Sequence, residues 1–400
     1  MTSAAVPSNA LPSRFDVVVV GGGLLGCAVS YYLAGDGLNV LLAERDQINR
    51  QASGQNAGSL HFQLEYRMIE HGEAQARKAA EAMPLHLDAQ HRWALVESEL
   101  GADLGVVQSG GLMVAEEAPD IAKLEKKVAI EREAGLTVDL LDRGAVRSTA
   151  PYLSDKIKAA AYCRSEGKAD PRRCALAFAS AAQAKGATIR SRLGVASVSR
   201  VRSHWLVCFD DGTSCTTRAI VIAAGAWSGQ VAAMLGVQIP SMPHGLMMTV
   251  TAKTEPVIRH LVQHVGKRLS LKQNGSGNIV IGGGWPAAMV MRDGQIDLNF
   301  KPIPLLTSIS GNMAAAIGVV PGLINLPVLR VWTGTTSAIP DQLPMIGNLA
   351  GCSDCYIATG GSAFTLGPTY ARILADRVLG RPDKFNIAAY SPSRFTGGAP

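Results

Sequence analysis

Four consecutive valines, Val17-Val18-Val19-Val20, run directly into Gly21-Gly22-Gly23-Leu24-Leu25-Gly26, and this junction limits the fold more than any other part of the chain. It is G-x-G-x-x-G with a strand before it and helical spacing after it, the context in which the pattern carries meaning. Gly21 permits the tight turn, Gly23 admits a pyrophosphate to the backbone, and Gly26 lets the helix pack on the strand. Free N–H groups at the helix start, with the positive end of its dipole, then face the phosphates. A second apolar strand, Val40-Leu41-Leu42-Ala43, ends at Glu44, at the distance expected of a ribose-binding acid. The plainer alternative, a glycine-rich turn beside an unrelated surface glutamate, leaves that spacing unexplained. The motif predicts a dinucleotide but does not choose between NAD and FAD.

At 400 residues and 47 % hydrophobic, the chain has enough apolar surface for two packed units, and its 18 % charged fraction excludes disordered and coiled-coil architectures. The net charge of +6 is scattered and aromatics are only 5 %, so no basic, stacking surface for nucleic acid is expected. Seven cysteines, an odd and low count, argue against a disulfide framework and for a reducing compartment. Residues 17–35 and 302–329 carry no charge. Three glycines break the first stretch, and Pro304, Pro321 and Pro327 break the second, so neither reads as a membrane span. The expectation is a soluble, unexported, cytoplasmic chain.

Residues 1–13 and 391–400 read as tails. Strand signals fall at 16–20, 40–42, 111–114, 197–201, 205–209, 219–223, 245–252, 278–282, 329–332 and 356–358. Helical patterns cover 24–34, 69–99, 119–134, 171–185, 229–235, 305–317 and 368–379. An early βαβ unit, hairpin-like strands and a last strand and helix predict an α/β fold of two interleaved domains. A Rossmann-type domain is expected from 14–82, 145–228 and 334–390, with a β-rich α+β substrate domain from 83–144 and 229–333 inserted into it.

Ser53-Gly54-Gln55-Asn56-Ala57-Gly58-Ser59 follows the second strand as a glycine-punctuated loop whose small residues let backbone amides pack on a large planar ligand. This segment resembles the flavin-binding loop of the D-amino-acid oxidase-like family, which includes glycine and sarcosine oxidases and heteromeric bacterial dehydrogenases. The resemblance runs from about Phe15 to about Arg381. Ala219-Ile220-Val221-Ile222-Ala223-Ala224-Gly225-Ala226-Trp227 is similar to the family's later strand and turn over the dinucleotide. Pro340-Asp341-Gln342-Leu343-Pro344-Met345-Ile346-Gly347 and Ile357-Ala358-Thr359-Gly360-Gly361-Ser362-Ala363-Phe364-Thr365-Leu366-Gly367-Pro368 resemble its C-terminal segments.

The resemblance implies a glutathione-reductase-like fold holding FAD. The residues it assigns to the cofactor are Gly21, Gly23, Leu24, Leu25, Gly26, Glu44, Arg45, Ser53, Gly54, Asn56, Ala57, Gly58, Val195, Ala223, Ala224, Gly225, Trp227, Gly361, Phe364, Thr365, Leu366 and Gly367. Pro368 suits a helix start because its missing N–H costs nothing there. A helix N-terminus aimed at the flavin edge stabilises the anionic reduced ring, although an ordinary strand-to-helix connection reads the same way.

Amine oxidation by a flavin calls for positioning groups rather than a catalytic triad. Amino-acid oxidases of the family resemble one another in a Trp-x-Gly-x-Arg-Pro stretch, whose Arg clamps the substrate carboxylate. This chain has Trp332-Thr333-Gly334-Thr335-Thr336-Ser337, with Thr336 at that position. A Pro-x-Arg-like strand entry of relatives appears as Pro243-His244-Gly245, again without Arg. Threonine cannot replace the bidentate contact of a guanidinium. Within the family the chain most resembles the flavin subunits of bacterial opine oxidases. That implies oxidation of a secondary amine, hydrolysis of the imine, and electron transfer to partner redox subunits, iron–sulfur proteins among the candidates. His61 is the first candidate to orient substrate or accept the amine proton, against the bland role of satisfying a buried carbonyl. His244, Thr335 and Thr336 are the further candidates, with strand structure as their plain alternative. Trp332 either covers the ring or packs the core.

Cys352-Ser353-Asp354-Cys355 lacks a second ligand pair, so it reads as structural and no metal is expected. Cys208 and Cys215 flank a turn and are expected to be reduced. Residues 305–317 form an uncharged helix, expected to contribute to a subunit interface unless the chain buries it completely. Residues 118–134 carry Lys126, Lys127, Glu131 and Glu133 and are expected to face water. Two other functional readings stay open here: a free-standing glycine, D-amino-acid or D-hydroxyproline oxidase or dehydrogenase, and an FAD-binding electron-relay subunit with no substrate site of its own.

Overall fold

The structure is a computed structural model that describes residues 11–395. Of the expected tails, residues 1–10 and 396–400 lie outside that range, but the C-terminal one begins too early at 391: Pro392–Phe395 form a short helix with Pro392 buried and Arg394 paired to Asp341 at 2.8 Å. Two eight-stranded sheets organise the rest.

The first sheet grows from the valine run. Strand Arg14–Val20 lies between the parallel strands Val40–Glu44 and Ser214–Ile222, with Val19 opposite both Leu42 and Val221. Thr188–Ser191 and Cys355–Thr359 extend it on either side, still parallel, and Met345–Asn348 closes one edge antiparallel. The strands read as continuous apolar runs because helices cover one face. Leu24–Gly35 packs there between Pro171–Ala184 and Gly367–Val378, and Tyr31, Tyr32 and Phe178 meet edge to face. Trp205, Phe209, Ile220 and Ile222 fill the other face, under the hairpin of Val195–Val201 and His204–Phe209.

The second sheet runs Val328–Ala338, Met242–Lys253, Asn278–Gly282, Ser270–Gln273, Leu261–His264, Gly111–Ala115, Ala159–Cys163, Asp139–Asp142. Its two faces differ. Leu271, Ile279 and Ile281 turn to one side and pack with Ala316 and Val319 of helix Leu306–Val319. The alternate residues, among them Ser270 and Lys272, meet the segment that follows the glycine-punctuated loop. The site lies on that second face.

Several expectations are corrected. Strand Ala159–Cys163 hydrogen-bonds in the second sheet, so a boundary at 145 is too early. The single helix expected over 69–99 is three: Tyr66–Ile69, Glu73–Ala80 and Met83–Leu100. Gly72, at φ +102°, marks the first break, and Pro84 starts the last helix, where its lost donor is harmless. Helix Ala118–Glu133 does not simply face water: Lys127 and Glu131 are 1 % and 0 % exposed. The uncharged helix Leu306–Val319, by contrast, is only partly covered, with Leu306 84 % exposed, so the interface expected there is not ruled out by burial.

Candidate active site

The turn after the first strand has no room for side chains. A Cβ on Gly26 would stand 1.9 Å from the Gly21 carbonyl oxygen, and one on Gly21, at φ +112°, 2.6 Å from that of Ala223. Helix Leu24–Gly35 is buried almost from end to end, yet Gly23, the residue before it, brings no side-chain cap. Ser53 Oγ accepts from the Leu24 N–H at 2.9 Å. A buried helix N-terminus with so little capping suits a phosphate. Glu44 ends its strand beside the turn, its Oε2 accepting from the Gly22 N–H at 2.6 Å. Arg45 stacks 4.2 Å over the Trp227 ring and lies against Gly194, next to Val195. Gly225, at φ +53°, opens the short turn that carries Trp227, just after Ala223 and Ala224.

The glycine-punctuated loop is equally tight. Asn56 Oδ1 accepts from the Gly58 N–H at 2.6 Å, while its amide donates to the Ala52 and Ser53 carbonyls. A Cβ on Gly54 would meet the Asn49 carbonyl oxygen at 2.1 Å, and one on Gly58 that of Ala169 at 2.2 Å. Beyond Ala57 and Gly58 the chain reaches Ser59 and His61.

The C-terminal loop closes against this segment. Gly360, Gly361 and Ser362 have φ of +75°, +40° and +44°. Tyr370 donates its hydroxyl to the Gly361 carbonyl at 2.6 Å, and Arg67 and Glu65 hold Ser362 Oγ at 2.9 and 2.6 Å. Burial opposes the Glu65 carboxylate, but Arg67 and these hydrogen bonds keep it down at about 2. The Trp93 indole donates to the Thr365 carbonyl and stacks on Phe364. Thr365 Oγ1 takes the His61 N–H at 3.3 Å, which joins the two loops, and Gly367 abuts Leu24.

The residues in front form a polar cluster that the sequence only partly signals. His61 Nε2 is 3.1 Å from Ser270 Oγ, Ser270 Oγ is 3.4 Å from Ser59 Oγ, and Lys272 donates to Ser59 Oγ at 2.8 Å. Burial lowers the His61 imidazole to about 4, so it is neutral at physiological pH, and its Nδ1 is buried without a partner. Sequence reasoning missed Ser270 and Lys272. The available signal was a lysine alternating with leucine in Ser270-Leu271-Lys272, a polar residue on one face of a buried strand.

Behind this cluster, Glu166 Oε1 accepts the N–H groups of Phe62 and Gln63 at 2.7 and 2.8 Å. Glu131 accepts that of Leu64 at 2.6 Å, and Lys127 bridges Glu131 and Gln63. Burial, partly offset by these bonds, pushes the Glu166 carboxyl up to about 7.

The remaining candidates separate. His244 and Thr336 face each other across paired strands, on the side of the sheet that also carries Trp332. Thr335 turns to the opposite side with Thr333, whose hydroxyl donates to the Pro302 carbonyl, so it is not brought to the cluster. His244 is exposed near the start of its strand, and no hydrogen bond joins it to His61. Trp332 donates to the Gln55 carbonyl and so braces the loop. Cys352 and Cys355 are both free, with sulfurs 2.9 Å apart, as are Cys208 and Cys215.

A flat, extended dinucleotide fits these residues: a buried helix start with a single side-chain cap from Ser53, glycines such as Gly21, Gly26, Gly54 and Gly58 where a Cβ collides with backbone, and the buried, unpartnered Trp227 indole N–H, Gln55 Oε1 and His61 Nδ1. The family described as DAO, FAD dependent oxidoreductase, matches residues 16–377. An opine oxidase component of Rhizobium meliloti is 25 % identical over 385 residues, covering 95 % of this chain and 97 % of that one. Glycine oxidase of Geobacillus kaustophilus is 24 % identical over 96 % and 98 % of the two chains. Sarcosine dehydrogenase of Mus musculus is 26 % identical, but this chain spans only 42 % of its length. Among solved structures, glycine oxidase of Geobacillus kaustophilus superposes with a TM-score of 0.84 at 23 % identity, over 96 % of this chain and 100 % of that one. No helix among the described residues is long and apolar enough to cross a membrane.

Proposed function

Because this chain belongs to the DAO family of FAD-dependent oxidoreductases, which act on amino-acid or amine C–N bonds, we propose that it oxidises an opine-type secondary amine and passes the electrons to partner subunits. The observation that carries this reading is the end-to-end match to the opine oxidase component, in which neither chain has a large unmatched part. Threonine and histidine at positions 336 and 244 agree with it, since a guanidinium clamp for a simple amino acid is missing there.

Gly21, Gly23 and Gly26 would admit the pyrophosphate, Glu44 the ribose, and Arg45, Val195 and Trp227 the adenine end. The loop from Ser53 to Gly58 and the turn from Gly361 to Gly367 would enclose the ring. The bound flavin supplies a hydride acceptor for the carbon next to nitrogen. The chain's own work is to place that carbon and manage one proton. With Nε2 turned to Ser270 Oγ, neutral His61 offers Nδ1 as an acceptor for the amine N–H, which keeps the nitrogen lone pair available. Leu60 and Phe62, on either side of His61, are buried completely in the core and hold its backbone in place.

An electron-accepting partner agrees with the surface. Leu306, on helix Leu306–Val319, and Ile324 and Leu329, in the segments that follow it, are 84 %, 64 % and 67 % exposed, large apolar side chains open to a neighbour. The test is an anaerobic visible titration of the purified flavoprotein with opines, proline derivatives and D-amino acids. Bleaching by an opine supports the proposal. Bleaching by glycine or a D-amino acid alone, with peroxide formed in air, replaces it with a free-standing oxidase. A flavin untouched by every compound leaves an electron-relay subunit.

A further inference from the structure

Two lysines among the described residues are buried almost completely, and they are treated differently. Lys127 is paired with Glu131 and bonded to Gln63 Oε1. Lys272, 3 % exposed, has no carboxylate partner among the described residues; its hydrogen bond goes to the neutral Ser59 hydroxyl. A buried ammonium without a counter-charge is costly, and folds pair such groups or keep them for a ligand.

We infer that Lys272 binds an anionic group of the substrate, a carboxylate, at the side of the cluster opposite the acceptor nitrogen of His61. The inference rests on the amine-oxidising reading above and names the substrate's second requirement. Lys272 has three N–H donors and spends one on Ser59, which leaves two for carboxylate oxygens. Ser59 and Ser270 bridge Lys272 to His61 Nε2 through contacts of 2.8, 3.4 and 3.1 Å, so an anion held at Lys272 joins the same polar cluster as His61. Another cation on this face, Arg330, is set apart by exposure. Arg330, Val250, Val280 and Lys272 lie in register across four strands, which sets Arg330 about 14 Å away at the exposed rim.

Burial, with Lys168 close by, lowers the free Lys272 ammonium to about 7. The groups facing it are Lys168, from the strand Gly167–Lys168, and His61, which is already neutral there. A bound carboxylate restores the proton to Lys272, so binding weakens as pH rises above 7.

The experiment is calorimetric titration of the FAD-loaded enzyme with propanoate and with propanamide, its uncharged counterpart, for wild type, Lys272→Met and Lys272→Arg. Flavin content and thermal midpoint are recorded for each. Propanoate binds wild type, weakens above pH 7, and loses at least tenfold in Lys272→Met with partial recovery in Lys272→Arg; propanamide does not distinguish the three. Equal propanoate affinity in wild type and Lys272→Met overturns the inference, as does no propanoate binding to wild type. Because no turnover is read, a failure of opines to bleach the flavin refutes only the proposed function. Opine bleaching with unchanged KM in Lys272→Met refutes only this inference.

Discussion

Trp332 donates its indole N–H to the carbonyl of Gln55 at 2.7 Å, which fastens the edge strand of the second sheet to the glycine-punctuated loop of the first. A Cβ on Gly334, two residues on, would come 2.9 Å from Gln55 Oε1, so the strand and loop touch without slack. Trp332→Phe keeps most of the packing and leaves that carbonyl unpaired. The expected result is about 1 kcal/mol of lost stability and severalfold weaker FAD retention, read by thermal unfolding and by flavin fluorescence released on dilution.

Gly26→Ala tests the phosphate turn. Its methyl group would stand 1.9 Å from the Gly21 carbonyl oxygen, backbone that cannot swing aside. The variant is expected to purify without flavin, measured as the ratio of visible to ultraviolet absorbance. Gly229→Ala, where a Cβ meets nothing within 4 Å, is expected to keep it.

Thr336→Val and Thr335→Val should behave differently although the residues are adjacent. Thr336 shares a sheet face with Trp332, whereas Thr335 points to the other side. The first substitution is expected to raise KM a few-fold with flavin content unchanged. The second is expected to alter only stability, by about 1 kcal/mol or less. Steady-state kinetics and thermal unfolding separate them.

Acid sensitivity follows from buried groups. Burial holds His61, His86 and His264 at about 4, below their ordinary 6.5, so the unfolded chain takes up protons first as pH falls. The contribution of these histidines is full above pH 6.5 and declines down to pH 4, by an upper bound of about 3 kcal/mol each. Glu65, held at about 2, adds a loss between pH 4.5 and 2. Glu166, raised to about 7, works the other way between pH 4.5 and 7. Glu166→Gln is therefore expected to steepen the acid loss in that window, measured as thermal midpoint against pH.

The phosphate turn was legible in the sequence because its geometry is local: Gly21 to Gly26 need only a strand before them and a helix after. The family's later segments were legible for the same reason. Lys272 was not, since its strand, Ser270–Gln273, is four residues long and its meaning depends on Ser59, 213 positions away. Lys127 and Glu131 looked like a solvated helix face because nothing within the helix indicates that Leu64 lies over them. The long helix over 69–99 failed where one glycine, Gly72, adopts a positive φ that periodicity does not record.

Phe62, Gln63 and Leu64 have their amides gripped from behind by Glu166 and Glu131, so the backbone of this rail is set independently of what projects in front of it. Ser59 and His61 at its head, with Ser270 and Lys272 across from them, can therefore be exchanged for other side chains without moving the rail. The carboxylates that fix the backbone and the side chains that project from it are separate groups, so the chemistry of the cluster can change by point replacement with no change in loop length.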